Sequence, residues 1–235
     1  QLHEVGVSEI DIVVGFMKEQ YEYLIDKYNV NLVFNKDYVT KNNLHSLYRV
    51  MNKLGNTYIV PCDIWCEKNP FSVREWYSWY MVTGQLDERS SVRVNRKKEL
   101  VNVRKNEIGN TMIGISYILK EEADSLIERI RELVSRKEYD QSFWELALLN
   151  KDRMFVAPKE IEHKKVHEIN TYEQLRELDS DSDHLQSDVI QLICQVFRCE
   201  EKEITNICSL KKGMTNRSFA FCCKDKKYIM RIPGE

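Results

Sequence analysis

The chain has 235 residues, of which 43% are apolar and 31% charged, and its formal net charge is -2. That length bounds it to one large domain or one domain plus part of another, and the composition can bury a core and stay soluble. The charge balance gives no electrostatic case for a nucleic-acid or membrane-surface partner, and no apolar run reaches the roughly 20 residues needed to span a bilayer. The seven cysteines are odd in number and lack zinc-ligand spacing. They read as reduced, mostly buried thiols of a cytoplasmic protein. The opening Gln1-Leu-His-Glu4 has no basic signal region and reads as the middle of a helix, so the sequence is expected to be a fragment.

Ile10 to Val14 is a short apolar run closed by Gly15, a parallel-strand pattern. Met17, Tyr21, Leu24, Ile25 and Tyr28 then recur at helical spacing. Val30 to Phe34 is a second strand. Asn42 and Asn43 supply N-cap chemistry for a helix carrying Leu44, Leu47, Val50 and Leu54. Tyr58, Ile59 and Val60 form a third, buried strand, and Asp63 stands where it would leave the sheet. Strand-helix-strand-helix-strand with short connections implies a parallel sheet with right-handed crossovers. Ligands bind outside the carboxyl ends of such strands. Asp63 is therefore a candidate metal or phosphate-handling group, with a merely polar strand end as the alternative.

The middle changes character. Tyr77 to Gln85 and Ser91 to Arg104 alternate, with arms Arg93-Val94-Asn95 and Glu99-Leu100-Val101 of an antiparallel hairpin whose basic stretch, Arg93 to Lys105, is a solvated face. Thr111 to Ile118 is a buried strand. A helix from Lys120 to Arg136 follows, then a helix from Ser142 to Leu149, and short strands at Arg153 to Ala157 and Val166 to Ile169. Thr171-Tyr-Glu-Gln174 starts a last helix by a capping pattern. Trp65, Trp76 and Trp79 read as packing residues. Ser180 to His184 is a polar linker and the expected domain boundary. Beyond it lie an apolar helix, Val189 to Phe197, and β-type segments at Ile204 to Leu210, Ser218 to Cys223 and Lys227 to Arg231.

These residues carry two resemblances. Ile12-Val-Val-Gly-Phe-Met-Lys-Glu-Gln20, Asn31-Leu-Val-Phe-Asn35, Asn42-Asn-Leu-His-Ser-Leu47, Asp63-Ile-Trp-Cys-Glu-Lys-Asn69, Gly114-Ile-Ser116, Phe143-Trp-Glu145 and His167-Glu-Ile-Asn-Thr171 resemble the bacterial CTP:phosphocholine cytidylyltransferases, over about residues 1 to 180. Leu210-Lys-Lys-Gly-Met-Thr-Asn-Arg-Ser-Phe219 and Lys227-Tyr-Ile-Met-Arg-Ile-Pro-Gly234 resemble the start of bacterial choline kinases. The implied fold is α/β: a mostly parallel three-layer nucleotidyltransferase sheet with an antiparallel hairpin insertion over residues 1-180. Residues 181-235 would form the beginning of an α+β kinase-like N-terminal lobe.

The implied reaction is attack of a phosphocholine phosphate on the α-phosphorus of CTP, releasing pyrophosphate, for choline decoration of surface polysaccharide. Developing charge on phosphate oxygens calls for Mg2+, held by one or two carboxylates plus substrate oxygens. The resemblance assigns that role to Asp63, with Asn170 where the family keeps a second carboxylate; a neutral Asn capping the following helix is the alternative. Asn42, Asn43 and Ser46 would lie beside the pyrimidine, and simple N-capping serves equally for the two asparagines. Trp144, Glu145 and Tyr117 would hold the trimethylammonium through aromatic faces and a carboxylate, while Trp144 also fits a plain core position. Asn216 and Arg231 match the kinase-like phosphate region, whose partners would be ATP and choline. The family's Gly-rich phosphate loop has no match here, so an inactive chain is expected as one outcome. A sugar-phosphate nucleotidyltransferase and a non-catalytic nucleotide-binding domain stay open as rivals.

Overall fold

The computed structural model describes residues 1-104, 107-151, 153-170, 174-175, 178, 188-209 and 216-233. The chain divides into two compact units, Gln1–His167 and Glu168–Glu235. The expected linker at Ser180 to His184, the cap at Thr171 and the kinase-like segment Leu210 to Thr215 lie outside the described residues.

In the first unit, β1 (Asp11–Val14) leads through a 3-10 turn (Lys18–Tyr21) and α1 (Tyr23–Tyr28) to β2 (Asn31–Phe34), which pairs with β1 in parallel register, Asp11 opposite Asn31. The helical spacing read from Met17 to Tyr28 is thus split, and α1 buries none of its residues. α2 (Asn43–Val50) starts at the Asn42 cap and buries Leu44, His45 and Leu47. β3 (Thr57–Ile59) and β4 (Ile64–Cys66) follow. The apolar run expected to continue through Val60 stops at Ile59, and Val60 is exposed because the chain turns there at Pro61.

β5 (Trp79–Asp87) begins a larger sheet. The hairpin β6 (Val92–Val94) and β7 (Leu100–Asn102) forms where expected, with Arg93 on its solvent side. β8 (Gly109–Ile118) runs into α3 (Lys120–Val134), whose Ala123, Leu126, Ile130 and Leu133 recur at helical spacing and are buried. The helix expected from Ser142 is a shorter 3-10 segment, Trp144–Leu148. β9 (Leu149–Asn150), β10 (Arg153–Met154), β11 (Ala157–Ile161) and β12 (Val166–Glu168) complete the strands of this region.

The larger sheet has the order β11-β5-β8-β3. β11 is parallel to β5, whereas β5 and β3 both run antiparallel to β8. The third strand of the opening series therefore pairs with β8 rather than with β1 or β2. Side chains alternate across this sheet, as a period of two requires. Tyr80, Val82 and Ile118 join α2, α3, Trp144 and the hairpin in one core; Trp79, Met81, Ile113, Ile115 and Tyr117 join Cys66 and Val166 in another.

The second unit contains α4 (Asp188–Phe197) and an antiparallel sheet β13 (Ile204–Ser209), β14 (Asn216–Cys223) and β15 (Lys226–Pro233). Lys224 and Asp225 both have positive φ, 51° and 63°, which gives the tight hairpin turn between β14 and β15 the handedness that suits twisted strands. Its core gathers Ile190, Ile193, Ile204, Phe221 and Cys223.

Leu126 is fully buried between α3 and the sheet. Leu126→Ala is expected to cost about 2–5 kcal/mol through lost burial and a residual cavity, to be read from the midpoint of urea unfolding.

Candidate active site

Asp63 sits half-buried in the turn between β3 and β4, and its carboxylate makes no hydrogen bond or ion pair with any described residue. The turn is fixed from behind by Gly114 of β8. Tyr80 pairs with Ser116 but Val82 pairs with Met112, so β8 carries extra residues between those two pairs. Gly114 lies in that bulge with φ +86°. A Cβ there would fall 2.6 Å from Pro61 Cγ and 3.8 Å from Glu145 Oε1. The absent side chain is thus what lets Pro61, two residues before Asp63, lie beside Glu145.

Glu145 follows Trp144 on the 3-10 segment. Tyr80 Oη donates to Glu145 Oε1 at 3.0 Å, while Oε2 is buried with no partner. Burial pushes the Glu145 carboxyl above the usual carboxylate range, against the opposing effect of backbone and Tyr80 hydrogen bonds. Trp144 is 4% exposed, and its ring lies 6.0 Å from that of Tyr80. It packs in the main core and presents Glu145 rather than an open aromatic face.

Tyr117 does not join this group. It lies across the sheet, with its ring 4.8 Å from Tyr58. There Lys159 Nζ stands 3.9 Å over the Trp79 ring and donates to Pro70 O at 2.8 Å, while Tyr58 Oη donates to Glu75 at 2.9 Å. This cluster pins the 70–75 loop to the sheet. Trp79 is fully buried, as expected, but Trp65 and Trp76 are 41% and 75% exposed. They correct the packing expectation: Trp65 lies on a short strand of a two-stranded pair, and Trp76 stands on a loop with the Arg74 guanidinium against its ring.

Asn42 and Asn43 make structural hydrogen bonds at the start of α2. Asn42 Oδ1 accepts from the Asn43 N–H at 2.7 Å, and its amide donates to Gln141 O at 3.2 Å. Asn43 Oδ1 accepts from the Trp144 N–H at 2.8 Å. The start of α2 thereby fixes the segment that carries Glu145. His45 Nε2 lies 3.1 Å from Asp140 Oδ1, which Lys41 also approaches at 3.2 Å. Burial, and then the Lys41 charge, push the His45 pKa down. Ser46 Oγ accepts from Asn35 Nδ2 at 3.2 Å. Asn35, 2% exposed, follows β2 at its carboxyl end, and its Oδ1 accepts from the Asp37 N–H and from Arg49, which also pairs with Asp37. Ser46 therefore belongs to a polar network at the carboxyl ends of the parallel pair, the usual ligand position.

In the second unit, Asn170 is exposed; its side-chain amide donates to Glu168 Oε1 at 3.0 Å and its backbone N–H to Gln174 Oε1 at 2.7 Å. Asn216 opens β14, opposite Pro233, and Arg231 is exposed on β15 opposite Ser218. Of the seven cysteines, Cys66 and Cys223 are buried but Cys62 is exposed, on the same turn as Asp63. Burial, and then the neighbouring Asp63, still push the Cys62 thiol up, toward its neutral form.

Among the described residues no group of three or more His, Cys, Asp or Glu could hold a metal. Mg2+ takes one or two carboxylates and completes its shell with substrate oxygens and water. Asp63, with both carboxylate oxygens unpartnered by the described residues, fits that demand.

The mixed α/β fold matches that of a nucleotidyltransferase, and the similar proteins place the chain as an enzyme of that class. It is 29% identical over 192 residues to the choline-phosphate cytidylyltransferase of Streptococcus pneumoniae, covering 76% of this chain and 80% of that one. It is 28% identical over 183 residues to the 2-aminoethylphosphonate cytidylyltransferase of Lancefieldella rimae, covering 74% of this chain and 71% of the relative. Its structure matches that of the CTP:phosphocholine cytidylyltransferase from Streptococcus pneumoniae with a TM-score of 0.66 and 27% identity, over 76% of this chain and 80% of that one. No family model matches the chain.

Tyr80, Pro61 and Gly114 are the site residues that a reading of side-chain chemistry passes over. The signal was a glycine inside a strand pattern, which marks a bulge or a close approach. Gly114→Ala is expected to cost about 1–3 kcal/mol, since it meets Pro61 and a positive φ together. Chemical denaturation measures the loss. Glu145→Gln is expected to raise the melting temperature at pH 8 and to change it less at pH 5. The raised carboxyl opposes folding as pH climbs from its unfolded towards its folded pKa, and below the unfolded value both states hold the proton.

Proposed function

We propose that the chain transfers a cytidylyl group from CTP to phosphocholine, forming the phosphoanhydride and releasing pyrophosphate. The observation that carries this reading is the junction at Gly114, which brings the free carboxylate turn of Asp63 beside a buried, half-partnered carboxylate, Glu145. Asp63 would hold Mg2+. The ion, when bound, neutralises charge on the phosphates and keeps them in line. Asn35, Ser46 and Arg49 offer donors and acceptors for the pyrimidine and its ribose. Glu145 supplies the negative charge that a trimethylammonium requires.

The second unit is read as the beginning of a choline-kinase-like lobe, with Asn216 and Arg231 in its phosphate region and ATP and choline as that lobe's substrates. An antiparallel sheet with one packed helix is compatible with such a start. Kinase product would then feed transferase, upstream of choline decoration of a surface polysaccharide, in the cytoplasm. No helix of the described residues is long and apolar enough to cross a membrane.

A second acceptor is favoured by one observation. The unpartnered Glu145 Oε2 can accept a hydrogen bond, which a primary ammonium donates and a quaternary one does not. The relative that is a 2-aminoethylphosphonate cytidylyltransferase makes that acceptor the alternative to phosphocholine.

Pyrophosphate release from CTP and Mg2+ with each acceptor tests the reading. Asp63→Ala is expected to lower turnover at least about 10²-fold, the scale of losing electrostatic stabilisation of developing charge. Wild-type turnover in that variant overturns the role of Asp63. Preference for a sugar phosphate over both amines overturns the acceptor class. No heat on titrating CTP and Mg2+ into the chain at millimolar concentration favours a non-catalytic domain.

A further inference from the structure

Tyr80 occupies an unusual position. It is fully buried on β5, on the sheet face shared with Ser116 and Gly114, and its hydroxyl donates to only one of the two Glu145 oxygens. The 3-10 segment holds the Glu145 backbone from one side through the Asn43–Trp144 hydrogen bond. Tyr80 holds the carboxylate from the other. With Oε1 occupied, Oε2 is left buried and without a partner. A buried carboxylate oxygen without a donor is costly and calls for a partner, of which a bound cation is one.

We propose that Tyr80 is the positioning residue for the acceptor's cationic head group: its hydroxyl fixes the Glu145 carboxylate so that Oε2 is kept for that cation. The inference rests on the acceptor reading above and assigns the charge selectivity of the site to the Tyr80–Glu145 pair. A Cβ on Gly114 would fall 3.8 Å from Glu145 Oε1 and 2.6 Å from Pro61 Cγ, so the glycine leaves room beside the carboxylate. Selectivity for a positive head group then depends on an orientation as well as on a charge. A Glu145 released from Tyr80 can turn Oε2 toward other donors and lose its aim, although its charge remains.

Charge selectivity is read by comparing phosphocholine with 3,3-dimethylbutyl phosphate, in which carbon replaces nitrogen and only the positive charge is lost. Calorimetric binding of each, with CTP and Mg2+ present, is measured for the wild type, Tyr80→Phe, Glu145→Gln and the double variant. The wild type is expected to prefer phosphocholine by about tenfold or more, the scale of an interaction with a desolvated charge. Tyr80→Phe keeps the ring and its packing and is expected to reduce that preference to about threefold or less, chiefly by weakening phosphocholine. Glu145→Gln should remove the preference, and Tyr80→Phe should then add nothing, the signature of two groups acting as one.

A purely structural role would weaken both ligands equally and leave their ratio unchanged, which overturns the proposal. Full selectivity in Tyr80→Phe, or additive effects in the double variant, overturns it as well. A wild type that binds both phosphates equally overturns the assignment of charge selectivity while leaving cytidylyl transfer intact. A wild type that binds neither phosphate but takes up CTP overturns the acceptor reading itself, and 2-aminoethylphosphonate in the same titration shows whether the site prefers an N–H donor.

Discussion

The candidate site depends on a side chain that is not there. Gly114 interrupts β8 with a left-handed residue inside a bulge, and the Pro61 ring occupies the space that a Cβ would need. Three constraints meet at this point. The chain must turn after β3, because proline cannot continue the ladder. The turn must lie against the sheet, because Gly114 admits it. The Glu145 carboxylate must lie on the same side, because Asn43 and Tyr80 hold its segment and its head. Asp63 is then carried on a turn with a fixed base. A carboxylate proposed to meet an ion and a triphosphate needs that fixity more than it needs local partners, since any partner would have to be displaced.

The same arrangement is costly to the fold. Glu145 is a carboxylate with one buried oxygen unpartnered, and burial pushes its pKa up. A core glutamine or leucine would satisfy packing at lower cost. The stabilising interactions lie around it: the α3 stripe, the fully buried Tyr80 and Leu148, and the aromatic cluster that pins the 70–75 loop across the sheet. Lys159 in that cluster shows how this protein satisfies a partly buried cation, with an aromatic face, a carbonyl and a carboxylate together. At Glu145, by contrast, Tyr80 meets Oε1 and Oε2 is left without a partner among the described residues.

Much of this was legible in the sequence where the signal was local. The hairpin arms, the α3 stripe and the β14–β15 turn follow from periodicity and from residues that tolerate positive φ. Asp63 was found because an acidic residue just beyond an apolar run is visible without knowledge of pairing. Tyr117 and Trp144 are grouped by the family resemblance, and only the register of β8 and the packing of the 3-10 segment place them in the two cores on opposite sides of the sheet. One residue of register moves every side chain across, and sequence spacing within a single strand does not fix its partner. Asn42 and Asn43 show the converse limit. Their chemistry suits a base edge and a helix cap equally, and tertiary packing spent it on holding Gln141 and Trp144 in place. Tyr80 was hidden because one tyrosine in an aromatic strand carries no sign of what its hydroxyl meets.

The acceptor question reduces to the chemistry of one oxygen. A trimethylammonium is bulky, diffuse in charge and unable to donate a hydrogen bond, so it is best met by aromatic faces with a carboxylate near by. A primary ammonium is compact and asks for several acceptors at short range. Trp144 is turned into the core, Tyr117 lies across the sheet, and Tyr80 meets Glu145 through its hydroxyl rather than its ring face. In the proposed site the carboxylate is therefore the stronger part of recognition, which would bring the two head groups closer in affinity than an aromatic cage would. The turn that carries Asp63 and the Glu145 carboxylate both lie against Gly114, so a change at that glycine reaches both.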